Sequence, residues 1–371
     1  MSTSSSGAEE AFRANVARVG AATLAALEGL EIAERRLHPP AIPRLRQALG
    51  PARDRLEEAL EAFDASVPDD AMLRALHERL AAAAHEALAA LVLFVDPGPP
   101  HEATARILGS LARYRAAQAA LYPLRSVLPP FGRWFLEPAL RDAAARLERE
   151  PAEPGRAGLF AAPAERGDRG GFSLYVPEWW DLASPWPLVV ALHGGSGHGR
   201  EFLWTWLREA RSRGFVLLAP TSIGATWSLD APGIDAARLV SMLDFVAARW
   251  PIDRTRVLLT GLSDGATFTL LAGLLENAPY TSLAPVSGVL HPANLALGNL
   301  GRARGRRIYH VHGALDWLFP VALAQLARDE LLRAGADLHY REIEDLSHTY
   351  PRDENAAILD WFDPGLALPA S

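Results

Sequence analysis

The sequence predicts an α/β protein, a mostly parallel sheet with helices on both faces, preceded by an all-α N-terminal region. Three observations predict it. From residue 158 onward, short apolar runs alternate with helical patterns, as parallel strands joined by helical crossovers require. One such run, residues 188–192 (LVVAL), is continuously apolar, which suits a strand buried on both faces. Before residue 150 the chain is instead rich in Ala, Leu, Arg and Glu, with apolar residues at helical spacing and no strand signal.

The 371 residues suit two domains, set here at 1–152 and 153–371, with residues 151–155 (PAEPG) as the linker. A hydrophobic content of 49% with 22% charge is globular rather than disordered composition. The net charge of -7 gives no reason to expect nucleic acid as a partner. The chain has no lysine, so its 37 basic residues are all arginine. It has no cysteine, which excludes disulfides, thiol catalysis and thiolate metal sites. The first twenty residues hold no apolar stretch behind a basic start, so no signal peptide is expected. The most apolar run, residues 80–95, is interrupted by His85 and Glu86 and is too short and polar to span a bilayer. The expectation is a soluble, cytoplasmic protein with no membrane span.

In the N-terminal part, Leu24-Leu27-Leu30, Leu56-Leu60-Phe63 and Leu73-Leu76-Leu80 recur at helical spacing. Breaks at Pro39-Pro40, residues 66–70, residues 97–100 and Pro129-Pro130 divide the region into five or six helices packed as a bundle. Arg133, Trp134 and Phe135 follow a proline pair and are placed to dock the bundle on the next domain. His38, His77, His85 and His101 stand singly and read as surface or cap residues. The region reads as a cap, a docking unit or a means of homo-oligomerisation.

Residues 158–162 and 171–176 read as a β-hairpin turning through residues 165–170. The run at 188–192 is followed by a helix at about 200–213 and a strand at 216–219. A helix at 236–249 precedes a strand at 257–259. Later strands fall at 283–286, 308–311 and 338–343, with helices at 321–334 and 354–362.

The stretch 256–275 (RVLLTGLSDGATFTLLAGLL) organises the second half. Gly261-Leu262-Ser263-Asp264-Gly265 is a G-x-S-x-G between a strand and a helix. In that context the serine occupies a sharp turn and exposes its hydroxyl near a helix N-terminus. Asp316 falls just past the strand at 308–311 and His348 just past the last strand. Ligands of open α/β sheets bind outside the carboxyl ends of the strands, where these three residues can converge. His193-Gly194-Gly195-Ser196-Gly197 follows the 188–192 strand and brings backbone amides to the same crevice.

These motifs resemble those of the α/β-hydrolase superfamily. More narrowly, the chain looks like the compact serine esterases grouped with phospholipase/carboxylesterases, dienelactone-hydrolase-like and polyhydroxyalkanoate-depolymerase-like proteins. The resemblance covers about residues 158–364 and implies an α/β-hydrolase fold that cleaves carboxylic esters through an acyl-enzyme. Ser263 would be the nucleophile, His348 the base that activates it, and Asp316 the group that orients the histidine. The backbone amides of Gly195 and Asp264 would form the oxyanion hole. Activity should then rise with pH across the window of about pH 5–8 in which histidines titrate.

Other assignments compete. Glu344 or Asp345 stands as an alternative acid partner, while His310 and His312 lie in or beside a buried strand and read as structural. His193 reads as a brace for the glycine loop. No short paired-ligand spacing suggests a metal, and no cofactor is implied. Trp227, Trp317 and Tyr350 are the substrate-binding candidates, Trp227 and Trp317 foremost, and for any one of them ordinary rim packing is the simpler account. The connection between residues 285 and 308 is too short for an inserted cap domain. The expected partner is a small-molecule or polymeric ester. A serine peptidase or thioesterase on the same fold, and a non-catalytic binding module, are the alternatives.

Overall fold

The computed structural model describes residues 2–147, 155–162, 168–180 and 184–368. They fall into two compact units that divide between Phe135 and Leu136. That division lies N-terminal to the linker expected at 151–155, of which residues 151–154 are outside the described residues.

The first unit holds α1 (Ser2–Arg35), α2 (Ile42–Asp64), α3 (Ala71–Val95), α4 (Ala103–Leu121) and the short α5 (Pro129–Trp134). Leu27, Leu30, Leu56, Phe63, Leu80 and Leu91 are fully buried or nearly so, which makes the helical apolar spacing a core. The acidic cap of α3 is local: Asp70 Oδ1 accepts the amides of Met72 and Leu73 at 2.9 Å each. Of the histidines expected as surface or cap residues, His77 is not at the surface. It is buried, its Nε2 lies 2.9 Å from the carbonyl of Phe63, and its ring stacks on the Phe63 ring.

The second unit begins with a 3-10 turn at Pro138–Ala143 and the short α6 (Ala144–Leu147), and is built on eight strands: β1 (Gly158–Ala162), β2 (Phe172–Val176), β3 (Trp186–Leu192), β4 (Val216–Pro220), β5 (Ile252–Leu262), β6 (Ser282–Val286), β7 (Arg307–Gly313) and β8 (Asp337–Ile343). Their order is β1-β2-β4-β3-β5-β6-β7-β8. β2 is antiparallel to both β1 and β4, and every pairing from β4 through to β8 is parallel. This is the α/β-hydrolase fold. The expected hairpin is β1–β2, although residues 163–167 of its turn are outside the described residues.

The helices are α7 (Gly199–Phe202), α8 (Leu207–Arg213), α9 (Gly233–Ala247), α10 (Asp264–Gly273), α11 (Ala293–Ala296), α12 (Val321–Arg333) and α13 (Asn355–Phe362). The helix expected at 200–213 is interrupted by a 3-10 turn at Leu203–Thr205. β5 is longer than its apolar run because its first residues, Ile252 to Arg256, are only partly buried or exposed. All residues of β3 and β4 are buried, so the crossover helices cover both faces of the sheet centre. Between β6 and β7 the chain makes only α11 and a 3-10 turn at Asn299–Ala303.

Strand order reverses around β3, which pairs with β4 on one side and β5 on the other. The crevice beyond such a reversal is where open α/β sheets bind ligands.

Candidate active site

Register brings the site together. Leu192 at the end of β3 lies opposite Gly261 of β5, and Leu262 lies opposite Val286 of β6. The chain then turns at Ser263, whose φ of 57° and ψ of -119° lie where L-residues are strained, at a cost of about 1–3 kcal/mol. Two bonds hold the turn: the Ser263 amide donates to the Val286 carbonyl at 3.0 Å, and the Ser263 carbonyl accepts the Thr267 amide at 2.9 Å. The flanking glycines are required by contact. A Cβ on Gly261 would lie 2.6 Å from the Gly265 carbonyl, and one on Gly265 would lie 2.5 Å from the Leu192 and His193 carbonyl oxygens. Helix α10 therefore sits directly on β3 and β5 with the serine at its N-cap.

The loops after β7 and β8 bring in Asp316 and His348. His348 Nε2 lies 2.9 Å from Ser263 Oγ, and Nδ1 lies 2.8 Å from Asp316 Oδ2. With Nδ1–H donating to the carboxylate, Nε2 is left to accept the serine hydroxyl. Asp316 Oδ1 takes the amides of Leu318 and Phe319 at 3.0 and 2.7 Å, which fixes the carboxylate that fixes the histidine. Ser263 and Asp316 are buried, and His348 has a side-chain exposure of 12%. The Phe319 ring meets the His348 ring edge-on at 5.2 Å. Nδ1 of His348 is thus engaged by Asp316 rather than by Glu344 or Asp345.

Two further histidines lie close by. His312 donates from Nε2 to the Phe319 carbonyl at 2.8 Å, and that nitrogen is 3.5 Å from Asp316 Oδ2. Burial lowers the pKa of His312 and pushes that of His310 down to about 3. Both are therefore held neutral, and His312 braces the Asp316 loop without adding charge to it.

The loop after β3 is built as a bracket. His193 donates from Nδ1 to the Gly194 carbonyl at 2.6 Å, while its Nε2 accepts the Ser222 amide at 3.1 Å. Burial lowers its pKa to about 4, so the ring stays neutral. Trp227 donates its indole N–H to the His193 carbonyl at 2.8 Å. Arg169 reaches from the β1–β2 connection to the carbonyls of Gly197 (3.3 Å) and Gly224 (2.6 Å) and to Ser222 Oγ at 2.7 Å. Asp235, in the first turn of α9, accepts the amides of Ile223 and Ser228. The result holds Gly194 against the nucleophile, since a Cβ there would lie 3.4 Å from Ser263 Cβ. Among the described residues, neither the Gly195 amide nor the Asp264 amide, the first of α10, has a protein acceptor.

The three aromatic candidates occupy different places. Trp227 is 2% exposed, with its ring against His193 on one side and Phe268 of α10 on the other. Tyr350 is buried; its hydroxyl donates to Asn355 Oδ1 at 2.8 Å, and burial raises its pKa well above the ordinary phenol value. Trp317 is 61% exposed, beside the exposed Leu315 and Leu318. Thr226 donates its hydroxyl to Asp264 Oδ2 at 2.6 Å. The braces Arg169 and Thr226 have no sequence signal because they act across loops far apart in the chain, and Asp235 has none because its bonds are to backbone amides. Among the described residues no group of three or more His, Cys, Asp or Glu side chains could hold a metal, and no helix is long and apolar enough to cross a membrane.

Residues 236–363 match the family model described as Phospholipase/Carboxylesterase. The chain is 28% identical over 205 residues to a bifunctional acetylxylan esterase/xylanase of Neocallimastix patriciarum, a match covering 53% of this chain and 29% of that protein. It is 26% identical over 134 residues to acetylxylan esterase A of Emericella nidulans, covering 33% of this chain and 43% of that protein. It thus spans less than half the length of these curated relatives. Among solved structures, the acetyl xylan esterase from Aspergillus awamori superposes with a TM-score of 0.45 at 18% identity, covering 57% of this chain and all of that one.

Proposed function

We propose that the second unit is a serine hydrolase that cleaves carboxylic esters through an acyl-enzyme. The observation that carries this reading is the unbroken pair of hydrogen bonds from Ser263 Oγ to His348 and from His348 to Asp316. A serine hydroxyl is a weak nucleophile until a base removes its proton. His348 takes that proton as Oγ attacks the ester carbonyl, and Asp316 stabilises the imidazolium that forms. The oxyanion then accepts the amides of Gly195 and Asp264, each such donor being worth about 2.7–4 kcal/mol of barrier. His348 returns the proton to the leaving alcohol and next activates the water that releases the acid.

Ester is preferred over amide or thioester because the similar curated proteins are named as esterases, including feruloyl esterase B of Neurospora crassa. Acetyl and aromatic acyl esters of sugars therefore head the substrate series. Trp317 is the aromatic candidate that can meet such a substrate from solvent. For the helical unit we propose homo-oligomerisation, which light scattering of the full chain beside residues 136–371 tests; identical oligomeric states would exclude it. Turnover of a p-nitrophenyl ester series should vanish in Ser263→Ala while circular dichroism is unchanged. Retained turnover would refute the assignment.

A further inference from the structure

Asp264 puts a carboxylate where ester hydrolysis has least use for one. Its Oδ2 lies 2.7 Å from the position that a Cβ on Gly195 would occupy, against the loop whose amide is assigned to the oxyanion. A negative charge there opposes the charge that develops on the carbonyl oxygen. The N-terminus of α10 offsets part of that cost, yet a neutral serine or asparagine would serve the helix without the penalty. The side chain is half-buried and held in one direction, with Oδ2 accepting the Thr226 hydroxyl at 2.6 Å. Among the described residues Oδ1 has no partner, and no arginine pairs with this carboxylate.

We propose that Asp264 is a specificity residue: its Oδ1, aimed by Thr226, accepts a hydrogen bond from a hydroxyl that the substrate carries close to its ester group. This rests on the esterase reading of Ser263 and adds to it the chemistry the substrate must bring. An O–H donated to a carboxylate makes a strong, charge-assisted bond. A methyl group in the same place leaves a half-buried carboxylate oxygen desolvated with nothing in return. Hydroxylated esters are therefore preferred over their apolar isosteres.

The test compares kcat/KM of the full chain on two matched pairs. 2-Hydroxyethyl acetate beside propyl acetate differs on the alcohol side, and methyl 3-hydroxybutanoate beside methyl 3-methylbutanoate differs on the acyl side. The hydroxylated member of at least one pair should be favoured by about 10-fold or more, as sites built for a hydroxyl reject analogues lacking it. The pair that responds identifies the side of the ester that carries the hydroxyl. In Asp264→Asn the ratio should fall several-fold, because an amide oxygen is a weaker acceptor than a carboxylate. Thr226→Val, which releases Oδ2, should lower it too. A ratio within one protein is insensitive to any general loss of activity in the variants. Ratios near one in the wild type, or a preference undiminished in both variants, overturn the proposal. Ser263-dependent turnover of p-nitrophenyl acetate separates the two failures. With it, flat ratios sink this proposal alone; without it and without turnover of either pair, the esterase reading falls and takes the proposal with it.

Discussion

The indole N–H of Trp227 donates to the main-chain carbonyl of His193 at 2.8 Å, while the same ring stacks on Phe268 with centroids 5.4 Å apart. One side chain thus ties the loop after β3 to the helix that carries the nucleophile. Trp227→Phe keeps the stacking and removes the donor. It should lower kcat by about 10-fold with KM little changed, since the bond positions an oxyanion donor and does not bind substrate. Steady-state kinetics on a p-nitrophenyl ester reads the split, and a change confined to KM would contradict the bracing role.

Asp316 is expected to matter through the tautomer it enforces. Asp316→Asn keeps the shape but can present an N–H to His348 Nδ1, which places the ring proton on Nε2 so that it no longer accepts from Ser263. Turnover should fall by roughly 10³–10⁴-fold with the fold intact, the scale associated with this exchange in serine hydrolases. A loss below about 10-fold would show that another acid, such as Glu344 or Asp345, can replace it.

Acid should destabilise the protein before its carboxylates titrate. His193 is held neutral by burial with a pKa of about 4, and His310 with one of about 3, against ~6.5 for an unfolded histidine. Between those values the unfolded chain binds more protons than the folded one, so stability rises with pH and is lost as pH falls below about 6.5. His193 alone contributes up to ~3 kcal/mol across its window, as 1.36 kcal/mol per pKa unit implies. Urea midpoints should drop between pH 7 and pH 5; a midpoint constant over that range would contradict the buried, neutral assignment.

Gly265→Ala tests the elbow sterically. The added Cβ would lie 2.5 Å from two carbonyl oxygens of the β3 end, backbone atoms that cannot swing aside. The variant should be destabilised by about 1–3 kcal/mol or more, the range for overpacking a buried site, with a lowered melting temperature and little activity. A normal melting temperature would mean that α10 stands further from β3.

The sheet was legible where strands are buried on both faces, as at residues 188–192, because a continuous apolar run has few other readings. It was not legible at the start of β5, where Asp253, Arg254 and Thr255 are polar and lie in the bulge between the Ile252–Trp186 and Val257–Leu188 pairs. Nor was the 3-10 break at Leu203–Thr205, since apolar periodicity continues across it. Ser263, Asp316 and His348 stood out because each sits in a short motif at a strand end. Arg169 and Thr226 did not, for they act on carbonyls, a hydroxyl or a carboxylate far along the chain. Asp235 did not, for it acts on backbone amides, which no side-chain pattern encodes. His77 read as a lone surface or cap histidine; the structure instead buries its ring against Phe63, with Nε2 at the Phe63 carbonyl in the last turn of α2, a carbonyl that also takes the Ser66 amide and hydroxyl.

The most direct measurement is labelling with a fluorophosphonate probe, wild type beside Ser263→Ala, read by intact mass. Stoichiometric phosphonylation of the wild type, absent from a folded Ser263→Ala variant, is the result expected of an activated serine at the elbow. A folded wild type that stays unlabelled, or a Ser263→Ala variant labelled as fully as the wild type, would contradict the assignment of Ser263 as the nucleophile.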